Sequence, residues 1–250
     1  MSKTMKAAMC QEPFKIKLLD LPVPEMGPND VLIRVRATGI CGSDLHTFRG
    51  VHPFRKCPVI LGHEMAGEVA EVGTSVKGFK PGDRVTMEPQ IACGHCDYCR
   101  RGLYQLCLSK ATIGMDGWQG TLAEYFVCRQ DSVHYLPEEV SFEQGATVEP
   151  LAVGMHAARR AGVTLGSTVV VLGAGTIGLT AIMAAKAAGA TTIFATDVAP
   201  FNLEVAAKLG ATHQVNTKTQ DLKGEVEKAC PGGVDAAIIT AGFPVVFEQA

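Results

Sequence analysis

An excess of charge of either sign is missing from this chain. Its 250 residues carry 23 Lys and Arg against 25 Asp and Glu, a net charge of -2, and only 19% are charged, with the signs interspersed. That excludes the basic footprint of a nucleic-acid partner and an acidic tail, so a small-molecule partner is expected. Internal repeats and low-complexity segments are also missing. The opening MSKTMKAAMCQEPFK lacks the apolar core of a secretory signal, which sets the expectation of a cytoplasmic protein. Ala161 to Ala185 is uncharged and long enough to cross a bilayer. It is interrupted by Gly162, Gly166, Gly173, Gly175 and Gly178, and reads as a β-rich run, a glycine turn and an alanine-rich helix of a buried α/β unit. No membrane role is expected.

Cysteine is what the chain has in abundance. Cys93, Cys96, Cys99 and Cys107 are spaced C-x2-C-x2-C-x7-C, dense enough for four thiolates to wrap one zinc tetrahedrally in a closed, structural site. Disulfides would need an oxidising compartment. Core thiols would need apolar surroundings, whereas this lobe carries Asp97, Arg100, Arg101 and Gln105. Cys10, Cys57, Cys128 and Cys230 read as buried apolar residues.

Two halves follow different grammars. From Met5 to about Pro137, the runs MKAAMC, VLIRVRATGI, AGEVAEV, DRVTME and LAEYFVC are separated by turns, the rhythm of an all-β, barrel-like domain. From about Val148 strands and helices alternate, as in a parallel sheet with crossovers. Helix ends are expected at Gly189 and Gly210. The boundaries fall at 1–150, with the cysteine lobe at 90–110, and 151–250. A dinucleotide-binding sheet has six strands, and this pattern stops at a fourth, which would leave an exposed edge strand. The native protein is therefore expected to continue past Ala250, the alternative being that another chain covers that edge.

Gly173-Ala174-Gly175-Thr176-Ile177-Gly178 follows the apolar strand STVVVL and opens a helix. A second strand ends at Asp197, nineteen positions after Gly178, which completes a dinucleotide fingerprint. The first glycine permits the turn, the second lets backbone approach a pyrophosphate, and the third lets helix pack on strand. Helix N–H groups would face the phosphates. Asp197 can bond both ribose hydroxyls and would repel a 2′-phosphate, so NAD is expected over NADP.

A second metal set is suggested by Cys41 in GICGSDLH and by His63 and Glu64 in LGHEMAG. Thiolate, imidazole and carboxylate suit zinc and can leave one position open. Gly62-His63-Glu64, Gly67, Gly73 and Val76 fit G-H-E-x2-G-x5-G-x2-V, which resembles the zinc signature of the medium-chain alcohol and polyol dehydrogenases. The cysteine lobe and the glycine turn fall in that family's order. GICGSDLH, VEPLAVGMHA and TDVAPFNLEVAAKLGA look especially like the sorbitol and threonine dehydrogenase branch.

The resemblance implies a GroES-like catalytic barrel followed by a Rossmann domain, an active cleft between them, and a homotetramer. It implies Cys41 and His63 as ligands of a catalytic zinc, joined by Glu64 or Glu149. Alternatively, Glu64 orients His63, and Glu149 caps the helix beginning near Pro150. Ser43 resembles the family's hydroxyl relay and His46 the imidazole that passes the proton to solvent, against plainer readings as a turn residue and a surface histidine. Within the nucleotide-binding set of Gly173, Gly175, Ile177, Gly178, Asp197 and Asn202, Asn202 stands where the family often has arginine, which implies weaker NAD binding. The implied activity is hydride transfer from a secondary alcohol of a small polyol or sugar alcohol to NAD. L-threonine or butanediol oxidation and a non-catalytic zinc- and NAD-binding role are the alternatives.

Overall fold

The computed structural model describes residues 4–115, 117–248 and 250, and its chain divides into two units, Met1–Glu149 and Pro150–Ala250. In the first, the strands are β1 (Thr4–Glu12), β2 (Lys15–Pro22), β3 (Asp30–Thr38), β4 (Val59–Ile60), β5 (Met65–Val72), β6 (Arg84–Met87), β7 (Gln90–Ile91), β8 (Ala111–Thr112), β9 (Tyr125–Arg129) and β10 (Val133–Tyr135). Short helices α1 (Gly42–Phe48), α2 (Asp97–Arg100) and α3 (Phe142–Ala146) lie between and after them.

The central sheet runs β10-β6-β5-β3-β9 and a smaller one β2-β1-β4, with β7 and β8 paired apart. Val31 with Ile33 on β3 and Met65 with Val69 on β5 share one face and are buried with Val85 and Phe126, while Leu32 and Ala66 between them are buried on the other face as well. The bridge Ala7↔Ala123 and the bond from the Ala8 N–H to the Leu122 carbonyl, 2.8 Å, tie the small sheet to the segment entering β9. The result is the barrel-like closure expected of a GroES-like domain. Trp118 packs in this core, stacked on Phe126, with its Nε1–H donated to the Val127 carbonyl at 2.9 Å.

The sequence reading passed over β2, an exposed edge strand, and α3. The latter is capped by Ser141, which accepts from the Gln144 N–H at 3.2 Å while Gln144 answers to the Ser141 N–H, a capping box. The helix placed near Pro150 begins earlier, as α4 (Val148–Arg160), with Pro150 in its first turn, where a missing N–H costs nothing.

In the second unit β11 (Thr168–Leu172), β12 (Thr192–Asp197), β13 (His213–Asn216) and β14 (Ala236–Ile239) form one parallel sheet in the order β13-β12-β11-β14. Helices α5 (Thr176–Ala187), α6 (Pro200–Leu209), α7 (Leu222–Ala229) and α8 (Pro244–Glu248) follow the strands. Val169, Val171 and Ala195 face one apolar cluster, and Val170, Leu172 and Phe194 the opposite one. Burial on both faces explains why β11 reads as an unbroken apolar run. The uncharged stretch resolves into loop, β11, turn and α5, and among the described residues no helix is long and apolar enough to cross a membrane.

Candidate metal and dinucleotide sites

Strand register assembles the first site. β3 and β5 are antiparallel with Thr38 opposite Met65, so the chain just past β3 and the chain just before β5 emerge at one end of the sheet. Cys41 lies on the first segment, at the N-cap of α1. His63 and Glu64 lie on the second, and the Gly39 N–H donates to the Glu64 carbonyl at 2.7 Å. A side chain at Gly39 would collide with the Glu64 carboxylate, so glycine there is what admits that carboxylate. Ligand atoms of Cys41, His63 and Glu64 all fall within 4.8 Å of one another.

The sequence reading missed the groups that hold this trio. Asp44, 1% exposed, accepts from the Cys41 N–H at 3.0 Å, the Gly62 N–H at 3.1 Å and Arg55 Nη1 at 2.9 Å. Arg55 is itself buried and donates Nη2 to the Ile113 carbonyl at 3.0 Å. The Asp44 carboxylate lies 3.6 Å from His63 Nδ1, too far for a hydrogen bond, and that nitrogen is buried without a partner. Burial raises the Asp44 pKa, but its proximity to His63 and the Cys41 and Gly62 amides bring it below the ordinary carboxylate value. Burial disfavours charge on His63 as well, yet Asp44 and Cys41 raise it to about 10. A thiol, an orphaned imidazole nitrogen and a buried carboxylate at this spacing fit a zinc ion with one coordination position to spare.

The acid three residues after an N-cap was a legible signal for Asp44; Arg55 had none in its neighbourhood. Asp44→Asn keeps the shape and discards the charge. Its expected result is a 10- to 100-fold weaker zinc affinity at this site, about the usual effect of such partners, with the cysteine lobe unchanged. Competition with a chromophoric chelator measures it.

Glu149, in the first turn of α4, stands outside the trio. Burial raises its carboxyl, His63 lowers it, and Glu64 and Asp44 raise it again, so it lies within the electrostatic reach of the same cluster. Ser43 and His46 sit one helical turn apart on α1, the first half-buried and the second exposed.

In the lobe, the ligand atoms of Cys93, Cys96, Cys99 and Cys107 also lie within 4.8 Å of one another, with Cys93 Sγ 3.9 Å and Cys96 Sγ 3.5 Å from Cys99 Sγ. A tetrahedron of Zn–S bonds of roughly 2.3 Å has edges of about 3.8 Å, which this set matches. The Cys93 N–H points at Cys107 Sγ, 3.3 Å, and the Cys96 N–H at Cys93 Sγ, 3.4 Å. A backbone bond from Cys99 lowers the Cys96 thiol and one from Cys93 lowers Cys107. All nine cysteines are unbridged, and Asp97, Arg100, Arg101 and Gln105 are exposed.

The glycine turn occupies the end of β11. Gly173 has φ +98°, a value that favours glycine, and a side chain at Gly178 would strike the Gly173 carbonyl. Gly175 caps α5 with open space beside its Cα, and Ile177 follows in the first turn. Thr240, unremarked in the sequence, donates its hydroxyl to the Gly173 carbonyl at 2.7 Å. Asp197 Oδ2 accepts from the Ala174 N–H at 2.9 Å and Asn202 Nδ2 at 3.1 Å, and Oδ1 from the Val198 and Ala199 amides at 2.7 and 2.8 Å. Burial raises this carboxyl, and the Ala199, Asn202, Ala174 and Val198 donors outweigh it.

Residues 27–138 match the Alcohol dehydrogenase GroES-like domain family, and residues 176–250 the Zinc-binding dehydrogenase family. The chain is 45% identical over 253 residues to sorbitol dehydrogenase of Bacillus subtilis, covering 99% of this chain and 71% of that protein. To D-arabitol-phosphate dehydrogenase of Enterococcus avium it is 42% identical, covering 100% and 74%. Among solved structures, a putative zinc-binding dehydrogenase of Sinorhizobium meliloti bound to NADP superposes with a TM-score of 0.91 at 36% identity, covering 98% of this chain and 72% of that one. Two family models in tandem, a relative matched along nearly the whole chain and two sets of zinc-type donors agree: the chain belongs to the zinc-dependent medium-chain dehydrogenases, in their polyol dehydrogenase branch.

Proposed function

We propose that this chain oxidises a secondary alcohol of a small polyol or sugar alcohol, with NAD taking the hydride. The convergence of Cys41, His63 and Glu64 beside the buried Asp44–Arg55 pair carries the reading, and the polyol names of the relatives support the substrate class. Cys41 and His63 would hold the catalytic zinc. Glu64 is the nearer third donor, and Glu149 is a carboxylate able to exchange with it. Bound there, zinc supplies a Lewis acid that brings an alcohol hydroxyl towards neutral pKa. The four lobe cysteines would hold a second, structural ion.

The chain's own residues do the rest. Ser43 accepts the hydroxyl proton and passes it to His46, which is exposed and so delivers it to water. Asp197 would bind the adenosine ribose of NAD, and Asn202, which donates to its carboxylate, fixes its orientation. The free N–H groups of the α5 N-terminus behind Gly175 would meet the pyrophosphate. A homotetramer working in the cytoplasm rests on the family resemblance.

The experiment is NADH formation by zinc-replete protein on sorbitol, xylitol, galactitol, butanediol and L-threonine, with and without chelator. Chelator-sensitive turnover on a polyol is expected. Turnover confined to L-threonine or butanediol would overturn the substrate class, and turnover indifferent to zinc removal the mechanism. Ser43→Ala is expected to lower kcat about 100-fold, the lower range of general acid–base contributions, with zinc content intact; full turnover would remove Ser43 from the proton path.

A further inference from the structure

Two thiols outside both metal sets stand together in the small sheet. Cys10, near the end of β1, is fully buried, and Cys57, half-buried, precedes Pro58 and β4. β4 pairs with β1, Cys10 opposite Val59, and this pairing brings the Cys57 sulfur to 3.0 Å from that of Cys10. Val59 and Leu61 enclose Cys10, with Phe48, Cys57 and Leu122 against them. Neither thiol belongs to the groups of side chains placed to hold a metal among the described residues.

We propose that Cys10 and Cys57 are an oxidant-responsive pair that a hydroperoxide converts to an intramolecular disulfide. Closing the bond needs about 1 Å of approach to reach roughly 2.05 Å. The ladder between β1 and β4 already keeps the partners in register, so no long-range search is required.

The roles follow from burial. Cys57 is the thiol an oxidant can reach. Its thiolate attacks one peroxide oxygen; the S–O bond forms, the O–O bond breaks, and the departing oxygen leaves as water after taking a proton. Cys57 is then a sulfenic acid. Cys10, whose thiol is pushed up to about 12 by burial and by its bond with Cys57, stays protonated until its turn. Its sulfur attacks the Cys57 sulfur; the S–S bond forms, the S–O bond breaks, and the Cys10 proton leaves with the hydroxide as a second water. Two thiols have lost two electrons and two protons, and hydrogen peroxide has become two waters.

The bridge would staple β1 to the strand that runs into Gly62-His63-Glu64, consuming no residue of the zinc trio. Oxidation here would therefore leave the catalytic site assembled, whereas oxidation of the lobe would release its metal.

Zinc-loaded protein is exposed to graded hydrogen peroxide, quenched in denaturant with an alkylating reagent, digested without reductant and read by mass spectrometry, with released zinc followed by a chromophoric chelator. The expected product is a Cys10–Cys57 peptide pair lighter than its separate halves by two hydrogens, formed at a lower dose than zinc release and reversed by dithiothreitol, with a raised Tm. In Cys10→Ser, Cys57 is expected to accumulate as a sulfenic acid captured by a dimedone probe. Should that variant not fold, Cys57→Ser, at the half-exposed position, should leave Cys10 fully alkylatable after the same dose. Oxidation of Cys57 in the parent protein with Cys10 still free, or loss of lobe zinc before any cross-link, would overturn the proposal.

Discussion

Replacing Cys41 by alanine is expected to lower kcat/KM on the best polyol by about a thousandfold or more while the protein stays folded. A Lewis acid at the reacting oxygen is worth several kcal/mol, and each 1.36 kcal/mol is about tenfold in rate. Removing the thiolate leaves His63 and Glu64 on one side of the cluster. The Asp44 contacts to Gly62 and Arg55 do not involve the Cys41 side chain and survive, as do the lobe cysteines. Metal analysis should show the loss of one of the two ions that the native donor sets would hold, with an unchanged far-ultraviolet spectrum. A variant that keeps its full zinc complement and loses less than tenfold in kcat/KM would mean that Cys41 is no ligand.

Asp197→Ala is the second large effect. Hydrogen bonds to a charged group are worth about 1.5–3 kcal/mol each, so losing both ribose contacts should raise KM for NAD about 100-fold or more and erase the preference over NADP. The same carboxylate gathers the Ala174, Val198 and Ala199 amides, so alanine also loosens the glycine turn, and Tm should fall. Asp197→Asn separates the roles in part: its single amide oxygen can still accept from the Val198 and Ala199 N–H groups, and its NH2 takes the place of the oxygen that accepts from Ala174 and Asn202. The charge expected to repel a 2′-phosphate is gone, so the loss in Tm should be smaller than for alanine while the loss of cofactor preference remains. Steady-state kinetics with both cofactors beside thermal melts of the apoprotein distinguish them. The sign of the pH effect is fixed by the depressed pKa. This carboxylate stabilises the fold above the ordinary aspartate value near 4, and its contribution disappears as pH falls through the lower folded value.

The parts of the fold legible in the sequence were those whose cause is local. The turn from Gly173 to Gly178 announces itself because strand, glycines and helix are contiguous, and the lobe because its thiols crowd one short segment. β2 is an edge strand, largely exposed: Lys15-Ile16-Lys17-Leu18 alternates polar with apolar, but Ile16 and Leu18 stay exposed, so this short run carries no burial signature. Ser141 and Gln144 were a readable capping box left unread. Arg55 lay out of reach: its partners Asp44 and Ile113 are 11 and 58 positions away, and only the folded sheet brings them together. For the same reason the sequence could name Cys41 and His63 as ligands without saying what holds them.

The two sets of metal donors differ in how much of the chain must be in place before each can act. From Cys93 to Cys107 the four sulfurs need only α2 and the turns around it. Cys41, His63 and Glu64 need β3 and β5 already in register, with Arg55 carried in from the loop between α1 and β4. A nascent or refolding chain can therefore collect its first zinc in the lobe before the second coordination set exists, since closing short loops precedes long-range pairing. When zinc is scarce, the expected population is a folded protein with a filled lobe and a silent catalytic position, whose missing activity returns on adding metal without any unfolding step.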